Sequence, residues 1–261
     1  MRIAAIQLSV DGDEPGALRA ERAHAAIHAE ARGGADLVVL PEMWLPGFFG
    51  FQDYPAFAEP LDGPEGSTLS RIAADAGVYL CAGSMVEKAA DGLLYNTTVL
   101  FGPTGECIAS YRKMHLYGYG SAEQATLSPG TEVVTAAVDG LAIGLSTCYD
   151  LRFPELYRAM VDRGAELFVI VAAWPFPRVD AWRCLARARA IENQAAVVGC
   201  NSAGRQGAGT YAGSSCAFNA WGTPLGELDD RPGVLHVDID AAHIRAARED
   251  FPALRDRVLG M

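Results

Sequence analysis

The sequence predicts an α/β fold of two similar halves, each a sheet covered by helices, with the two sheets packed face to face. Three observations predict it. Short apolar runs alternate with amphipathic stretches along the chain, the pattern of strands exchanging with helices. The segment Gly34-Ala35-Asp36-Leu37-Val38-Val39-Leu40 is echoed by Gly164-Ala165-Glu166-Leu167-Phe168-Val169-Ile170, and each follows an amphipathic stretch. Each half also carries a hairpin, turned by Gly102-Pro103-Thr104-Gly105 in the first and around Trp221-Gly222 in the second.

Taken in order, Ile3–Leu8 is a short apolar run and reads as the first strand. The Ala-rich stretch from Pro15 to Arg32 has helix-forming composition. Leu37–Leu40 is apolar throughout and of strand length, Thr68–Ala76 is a helix, and Tyr79–Gly83 is a strand. Asn96–Phe101 and Cys107–Tyr111 pair across the Gly-Pro turn. In the second half the apolar run Ala142–Cys148 is a strand. Tyr149-Asp150-Leu151-Arg152-Phe153-Pro154-Glu155 then opens a helix running from Pro154 to Asp162. Leu167–Trp174 is the next apolar run and Pro175 breaks it. A helix near Trp182–Gln194, a strand at Ala196–Cys200 and the hairpin Ser215–Ala220 with Gly226–Glu227 follow.

The chain of 261 residues, 50% hydrophobic, is long enough for one large core, and no linker or low-complexity tract marks a seam. Residues 1–261 are expected to form a single domain. A net charge of −11 argues against a phosphate-neutralising surface, so no nucleic acid partner is expected. Arg183, Arg187, Arg189, Arg245 and Arg248 are interspersed with Glu and apolar residues, which reads as solvated or salt-bridged helix faces. The six cysteines contain no CxxC pair, against a zinc ribbon or thioredoxin motif and in favour of reduced thiols in a cytosolic protein. The amino terminus turns polar too soon for a signal peptide, and the run ending at Trp174 is too short to span a bilayer. A soluble cytoplasmic protein is therefore expected.

Three residues at strand ends or in adjacent loops can do acid–base or nucleophilic chemistry. Glu42 follows Pro41, which stops ladder pairing at the end of Leu37–Leu40, so the carboxylate projects from the rim. Lys113 follows the first hairpin. Cys148 ends its strand facing a helix amino terminus, where the helix dipole favours thiolate and free N–H groups can hold an oxyanion. A base, a fixed cation and a thiol suit acyl transfer. Singly, each has a plainer reading: a core cysteine, a solvated lysine, a loop glutamate.

Pro41-Glu42, Arg112-Lys113-Met114-His115-Leu116 and Cys148-Tyr149-Asp150-Leu151-Arg152-Phe153-Pro154-Glu155-Leu156 together resemble the nitrilase superfamily of carbon–nitrogen hydrolases, and the resemblance runs from Ile3 to about Arg257. It implies a four-layer α-β-β-α sandwich, with Glu42 as general base, Lys113 as oxyanion stabiliser and Cys148 as nucleophile. It also implies a second glutamate. Glu123, before Ser128-Pro129-Gly130, fits that motif, and Glu132 is the competing assignment, expected instead to begin a strand. The implied reaction runs through a thioester, with the Tyr149 backbone N–H beside the oxyanion. It needs an amide substrate and water, with no metal or organic cofactor. Family members commonly form homodimers or higher assemblies. Here the helices Pro154–Asp162 and Trp182–Gln194, and an arm or helix at about residues 240–261, would lie at the interface.

Within the superfamily, Ala173-Trp174-Pro175-Phe176-Pro177-Arg178 and Arg187-Ala188-Arg189-Ala190-Ile191-Glu192-Asn193-Gln194 look most like the ω-amidase branch, which hydrolyses monoamides of small dicarboxylates such as 2-oxoglutaramate. On that resemblance Trp174 and Phe176 wall a small pocket and Arg178 pairs with the substrate's free carboxylate. Arg178 as a surface ion pair and Trp174 as plain core are the alternatives. Asn219-Ala220 departs from the Asp-Pro frequent in relatives, at a hairpin away from the triad. Deaminated glutathione is a second carboxylate-bearing amide to weigh. A glutamine amidotransferase would have glycines where Ser146 and Asp150 stand. A metal site at His24 and His28 lacks a third ligand in matching context, and a non-catalytic scaffold would not need all four candidates.

Overall fold

The computed structural model describes residues 1–259. In chain order the elements are β1 (Arg2–Gln7), α1 (Gly16–Arg32), β2 (Leu37–Val39), α2 (Tyr54–Phe57), α3 (Pro64–Ala76), β3 (Tyr79–Lys88), β4 (Leu94–Phe101), β5 (Cys107–Arg112), α4 (Glu123–Thr126), β6 (Thr135–Val138) and β7 (Leu141–Thr147). There follow α5 (Pro154–Asp162), β8 (Leu167–Ala172), α6 (Val179–Asn193), β9 (Ala196–Asn201), β10 (Arg205–Gln206), β11 (Gly209–Thr210), β12 (Cys216–Phe218), β13 (Pro224–Glu227), β14 (Gly233–Asp238) and α7 (Ala241–Asp250). Short 3-10 turns cover Phe51–Asp53 and Cys148–Arg152.

Among the described residues, ten of the fourteen strands were expected from the sequence in whole or part, and β6 through the strand expected to begin at Glu132, which starts instead at Thr135. The others, β10, β11 and β14, are short or mixed in pattern: β14 reads Gly-Val-Leu-His-Val-Asp, with a charged or polar residue at every second place near its end. The third helix begins at Pro64, four residues before the predicted Thr68, because Pro at the first helical turn needs no N–H partner. Gly77, at φ 66, ends it in the left-handed conformation that glycine adopts without strain.

Two six-stranded sheets result, ordered β14-β1-β2-β3-β4-β5 and β13-β12-β9-β8-β7-β6. In the first, β1, β2 and β3 are parallel, with antiparallel β14 on one flank and β4 and β5 on the other. In the second, β7, β8 and β9 are parallel, with antiparallel β6 on one flank and β12 and β13 on the other. The halves therefore superpose in topology, and the echoed segments are the central strands β2 and β8. The expected pseudo-symmetry is present, except that β14 closes the first sheet from the far end of the chain.

Period-two alternation divides the core. Ile3, Ala5, Leu37, Val39, Cys81 and Leu100 pack with Ile143, Leu145, Val169 and Val171 of the opposite sheet. Their neighbours Ala4, Ile6, Val38, Leu80 and Val99 pack outward with Ala23 and Ile27 of α1 and Leu69 and Ile72 of α3. Central strands covered on both faces must be apolar at every position, which is why β2 and β8 read as unbroken runs. β1 lies over β9, β3 over β8 and β4 over β7, giving helix, sheet, sheet and helix layers. The carboxyl ends of β2, β7 and β8 then meet at one rim of the interface, where α/β proteins build sites.

Three of the five arginines pair with carboxylates: Arg189 with Glu192 at 2.7 Å, Arg245 with Glu166 at 2.6 Å, and Arg183 with Glu227; Arg187 and Arg248 instead bond backbone carbonyls of Gly222, Gln194 and Ala165. His24 bonds Glu65 at 2.8 Å across α1 and α3. Among the described residues no cluster of three His, Cys, Asp or Glu side chains is placed to hold a metal. No described helix is long and apolar enough to cross a membrane. The expected carboxyl-terminal arm contains α7, and Gly260 and Met261 lie outside the described residues.

Candidate active site

Glu42, Lys113 and Glu123 come together with no solvent exposure, and Cys148 beside them is 7% exposed. Lys113 Nζ donates to Glu42 Oε1 at 2.8 Å and to both Glu123 oxygens at 2.8 and 3.0 Å. Asn96 Nδ2 donates to Glu42 at 2.8 Å and to Glu123 at 3.1 Å. The remaining Glu42 oxygen accepts from Ala173 N–H at 2.9 Å, and Glu123 also accepts from Tyr117 N–H at 2.6 Å. Both carboxylates are thus held by a buried cation and by amide donors, the condition under which buried charge is tolerated. Glu132, the competing second glutamate, is exposed in the loop before β6 rather than starting it.

Local structure places each group. After Leu40 pairs with the Cys81 carbonyl, the chain leaves the sheet at Pro41 and turns, with Met43 at φ 46. Gly83, at φ +69, sits in the irregular register of β3 beneath this turn, and a Cβ there would lie 2.1 Å from the Pro41 carbonyl oxygen. Gly83→Ala therefore combines a disfavoured backbone conformation with a backbone clash. A loss of about 2 kcal/mol is expected, read as a melting temperature lowered by roughly 4 to 8 °C. Lys113 follows β5, its N–H bonded to the Asn96 carbonyl at 2.8 Å. Cys148 opens the 3-10 turn at φ 48, a conformation that costs a non-glycine residue about 1 to 3 kcal/mol.

Against the expectation from its place before a helix, the thiol is not biased toward thiolate. Burial pushes Cys148 well above the usual range and the negative Glu42 adds to this, while Lys113 pulls the other way. The resting sulfur is neutral and needs a base. Burial also raises Glu123, against the pull of Lys113. Lys113 itself stays charged: burial works against its ammonium, and Glu123 and Glu42 outweigh that.

A narrow pocket opens above the sulfur, walled by Phe48, Tyr117, Tyr149, Trp174, Arg152 and Arg178 among others. Trp174 stands in the pocket wall. Its N–H donates to Asn201 at 2.7 Å and its indole N–H to the Arg178 carbonyl at 2.8 Å. Phe176 does not join it: the side chain is 60% exposed and lies outside the pocket, because the chain turns outward after Pro175. The Arg178 guanidinium lies 5.9 Å from the centre of the Tyr117 ring and that of Arg152 lies 5.0 Å from the Trp174 ring. The Tyr149 N–H stands at the start of the 3-10 turn, where no intrahelical partner exists.

The profile of the carbon-nitrogen hydrolase family matches residues 2–249. The chain belongs to the carbon-nitrogen hydrolase family. It is 38% identical over 262 residues to a 2-oxoglutaramate amidase of Paenarthrobacter nicotinovorans, covering 98% of this chain and 88% of that one. Human omega-amidase is 34% identical, covering 98% and 94%. The fold superposes with a TM-score of 0.92 on a CN-hydrolase superfamily protein of Xanthomonas campestris, solved with an arsenic adduct in its active site, at 32% identity covering 100% and 98%. The protein is thus a thiol-dependent hydrolase acting on carbon–nitrogen bonds in non-peptide amides.

In this carbon-nitrogen hydrolase, several site residues were not singled out from the sequence. Asn96 joins both carboxylates, and its signal was a polar run, Asn96-Thr97-Thr98, in which all three residues are fully buried within β4. Arg152 stood within the quoted cysteine motif without a role. Phe48 and Tyr117 come from loops with no periodicity to read.

Proposed function

We propose that this carbon-nitrogen hydrolase cleaves the terminal amide of a small carboxylate-bearing molecule, of the 2-oxoglutaramate type, to the acid and ammonia. One observation carries the reading. The pocket has a thiol at its floor and two guanidinium groups, Arg152 and Arg178, at its wall, neither paired with a carboxylate among the described residues. Two unneutralised cations in a chain of net charge −11 call for an anionic substrate. Relatives named 2-oxoglutaramate amidase and omega-amidase support the same class.

Glu42 takes the Cys148 proton and the sulfur attacks the amide carbon. The carbonyl oxygen, becoming anionic, lies toward Lys113 Nζ and the Tyr149 N–H. Glu42 returns the proton to the leaving nitrogen, ammonia departs and a thioester on Cys148 remains. Water, deprotonated by the same carboxylate, attacks the thioester, and the thiol regains its proton as the acid leaves. Glu123 orients Lys113 throughout. No step needs a metal or organic cofactor. Residues 1–261 act as one domain, since the first half supplies Glu42, Lys113 and Glu123 and the second supplies Cys148. A cytoplasmic setting keeps that thiol reduced. A homodimer or higher assembly would use α5, α6 and the segment from about residue 240, where Ile191 and Phe251 present apolar surface.

The test is ammonia release from ω-amides, their neutral counterparts, nitriles, N-carbamoyl compounds and deaminated glutathione. The carboxylate ω-amide is expected to exceed its neutral counterpart in kcat/KM by about 10- to 100-fold. Arg178→Ala should erase most of that preference through KM, because the ammonia-releasing centre is untouched. Equal rates for charged and neutral amides would rule the reading out.

A further inference from the structure

Asp150 is fully buried and does not line the pocket, yet it accepts hydrogen bonds from three residues in two segments of the chain. Its Oδ2 accepts from Thr147 N–H at 2.9 Å and from the Tyr111 hydroxyl at 2.7 Å. Its Oδ1 accepts from His115 N–H at 3.0 Å and lies 2.7 Å from His115 Nδ1. At that separation the ring donates to the carboxylate in the tautomer that carries its hydrogen on Nδ1. Thr147 immediately precedes Cys148. Tyr111 and His115 stand two residues to either side of Lys113.

The arrangement is reinforced at each donor. The Thr147 hydroxyl accepts from the Asp150 N–H, so the two residues bracket Cys148 with reciprocal bonds. The His115 ring lies flat on Phe153, with centroids 3.8 Å apart and planes 7° from parallel. Burial and the Asp150 charge push the Tyr111 hydroxyl upward, which keeps it protonated and donating.

A tie at this place answers a need of the fold. Lys113 hangs from β5, the edge of the first sheet, and Cys148 from β7 in the second. Backbone bonds between the halves lie past β1 and β9, where Val10 and Gly12 meet Ala203 and Arg205, and at the Glu42 N–H to the Ala172 carbonyl; beside Lys113 and Cys148 the tie is made through a side chain, that of Asp150. We propose that Asp150 is a positioning residue: it fixes the Cys148 thiol against the Lys113 ammonium by gripping the residue before one and the residues on both sides of the other. The proposal rests on Cys148 and Lys113 being the reacting pair.

Asp150→Asn keeps the shape but turns one acceptor into a donor that must face N–H or O–H groups. The thiol and ammonium then lose their common tether. A misplacement near 1 Å is expected to lower kcat by about 100-fold while KM moves by less than about threefold. The measurement is made well below the variant's melting temperature, with circular dichroism showing it folded, so that lost stability alone cannot lower kcat. A folded variant with kcat within about threefold of the parent, or one whose loss lies in KM, overturns the proposal. Should Asp150→Asn fail to fold, Tyr111→Phe and His115→Ala each remove one donor and keep the carboxylate. Each is then expected to lower kcat by about tenfold, and unchanged kcat in both overturns the proposal. Cys148→Ala is assayed alongside: activity there defeats the reading of the thiol, whereas an inactive Cys148→Ala beside a fully active Asp150→Asn defeats the tether alone.

Discussion

Cys148→Ala is expected to lower amide hydrolysis by about 10⁴-fold or more while the chain stays folded. The loss is large because nothing else near the pocket floor can replace a thiol. Lys113 is held protonated by Glu123 and Glu42 and cannot attack. Glu42 can still activate water, and that direct route sets the residual rate. The fold is expected to survive because the substitution removes one atom from a site that is 7% exposed, with a change in stability within about 1 kcal/mol.

The same variant gives a covalent readout. A slowly hydrolysed ω-amide should leave an acyl group on the parent protein, mapped by mass spectrometry to the peptide containing Cys148. Cys107 and Cys184 are exposed and report any indiscriminate labelling, whereas Cys81, Cys200 and Cys216 are buried. An adduct that persists in Cys148→Ala, or hydrolysis at the parental rate, removes Cys148 from the reaction.

Much of this was legible in the residues. The parallel strands β2 and β8 are covered on both faces, so physics required unbroken apolar runs, and the two runs pointed to both the halves and the rim. Glu42, Lys113 and Cys148 each follow a strand that the sequence marks clearly. Glu123 was distinguishable from Glu132 through its motif, and the structure separates them by burial: one meets Lys113, the other meets solvent. What stayed hidden depends on contacts distant in the chain. The neutral state of the Cys148 thiol follows from burial and from Glu42, which is distant in the chain, and the local helix signal pointed the opposite way. Phe176 shares the apolar character of Trp174, but Pro175 redirects the chain between them. Asp150 stood in the cysteine motif without a role because its donors, Tyr111 and His115, lie on a different sheet's margin.

Lys113→Met is expected to cost about 3 to 5 kcal/mol of stability as well as the activity, a melting temperature roughly 6 to 20 °C lower. Methionine fills nearly the same space, so the effect is electrical. Glu42 and Glu123 lose the cation between them while Asn96 still brings them onto one amide nitrogen, and neither carboxylate has solvent to turn to. The deficit must then depend on pH with a definite sign. Glu123 already lies above the ordinary carboxylate value because burial raises it, and Lys113 is what pulls it back. Without Lys113 it rises further. A carboxyl group with a higher pKa folded than unfolded binds more protons when folded, so stability falls as pH rises through that interval. The variant should approach parental stability at about pH 5 and show its full deficit at about pH 8, measured by thermal unfolding at both. A deficit that does not grow with pH would mean Lys113 contributes packing rather than charge. In activity, a Lys113→Met, Cys148→Ala double variant should be about as slow as Cys148→Ala alone, because an ammonium placed for the oxyanion of a sulfur adduct has nothing to stabilise once that adduct cannot form.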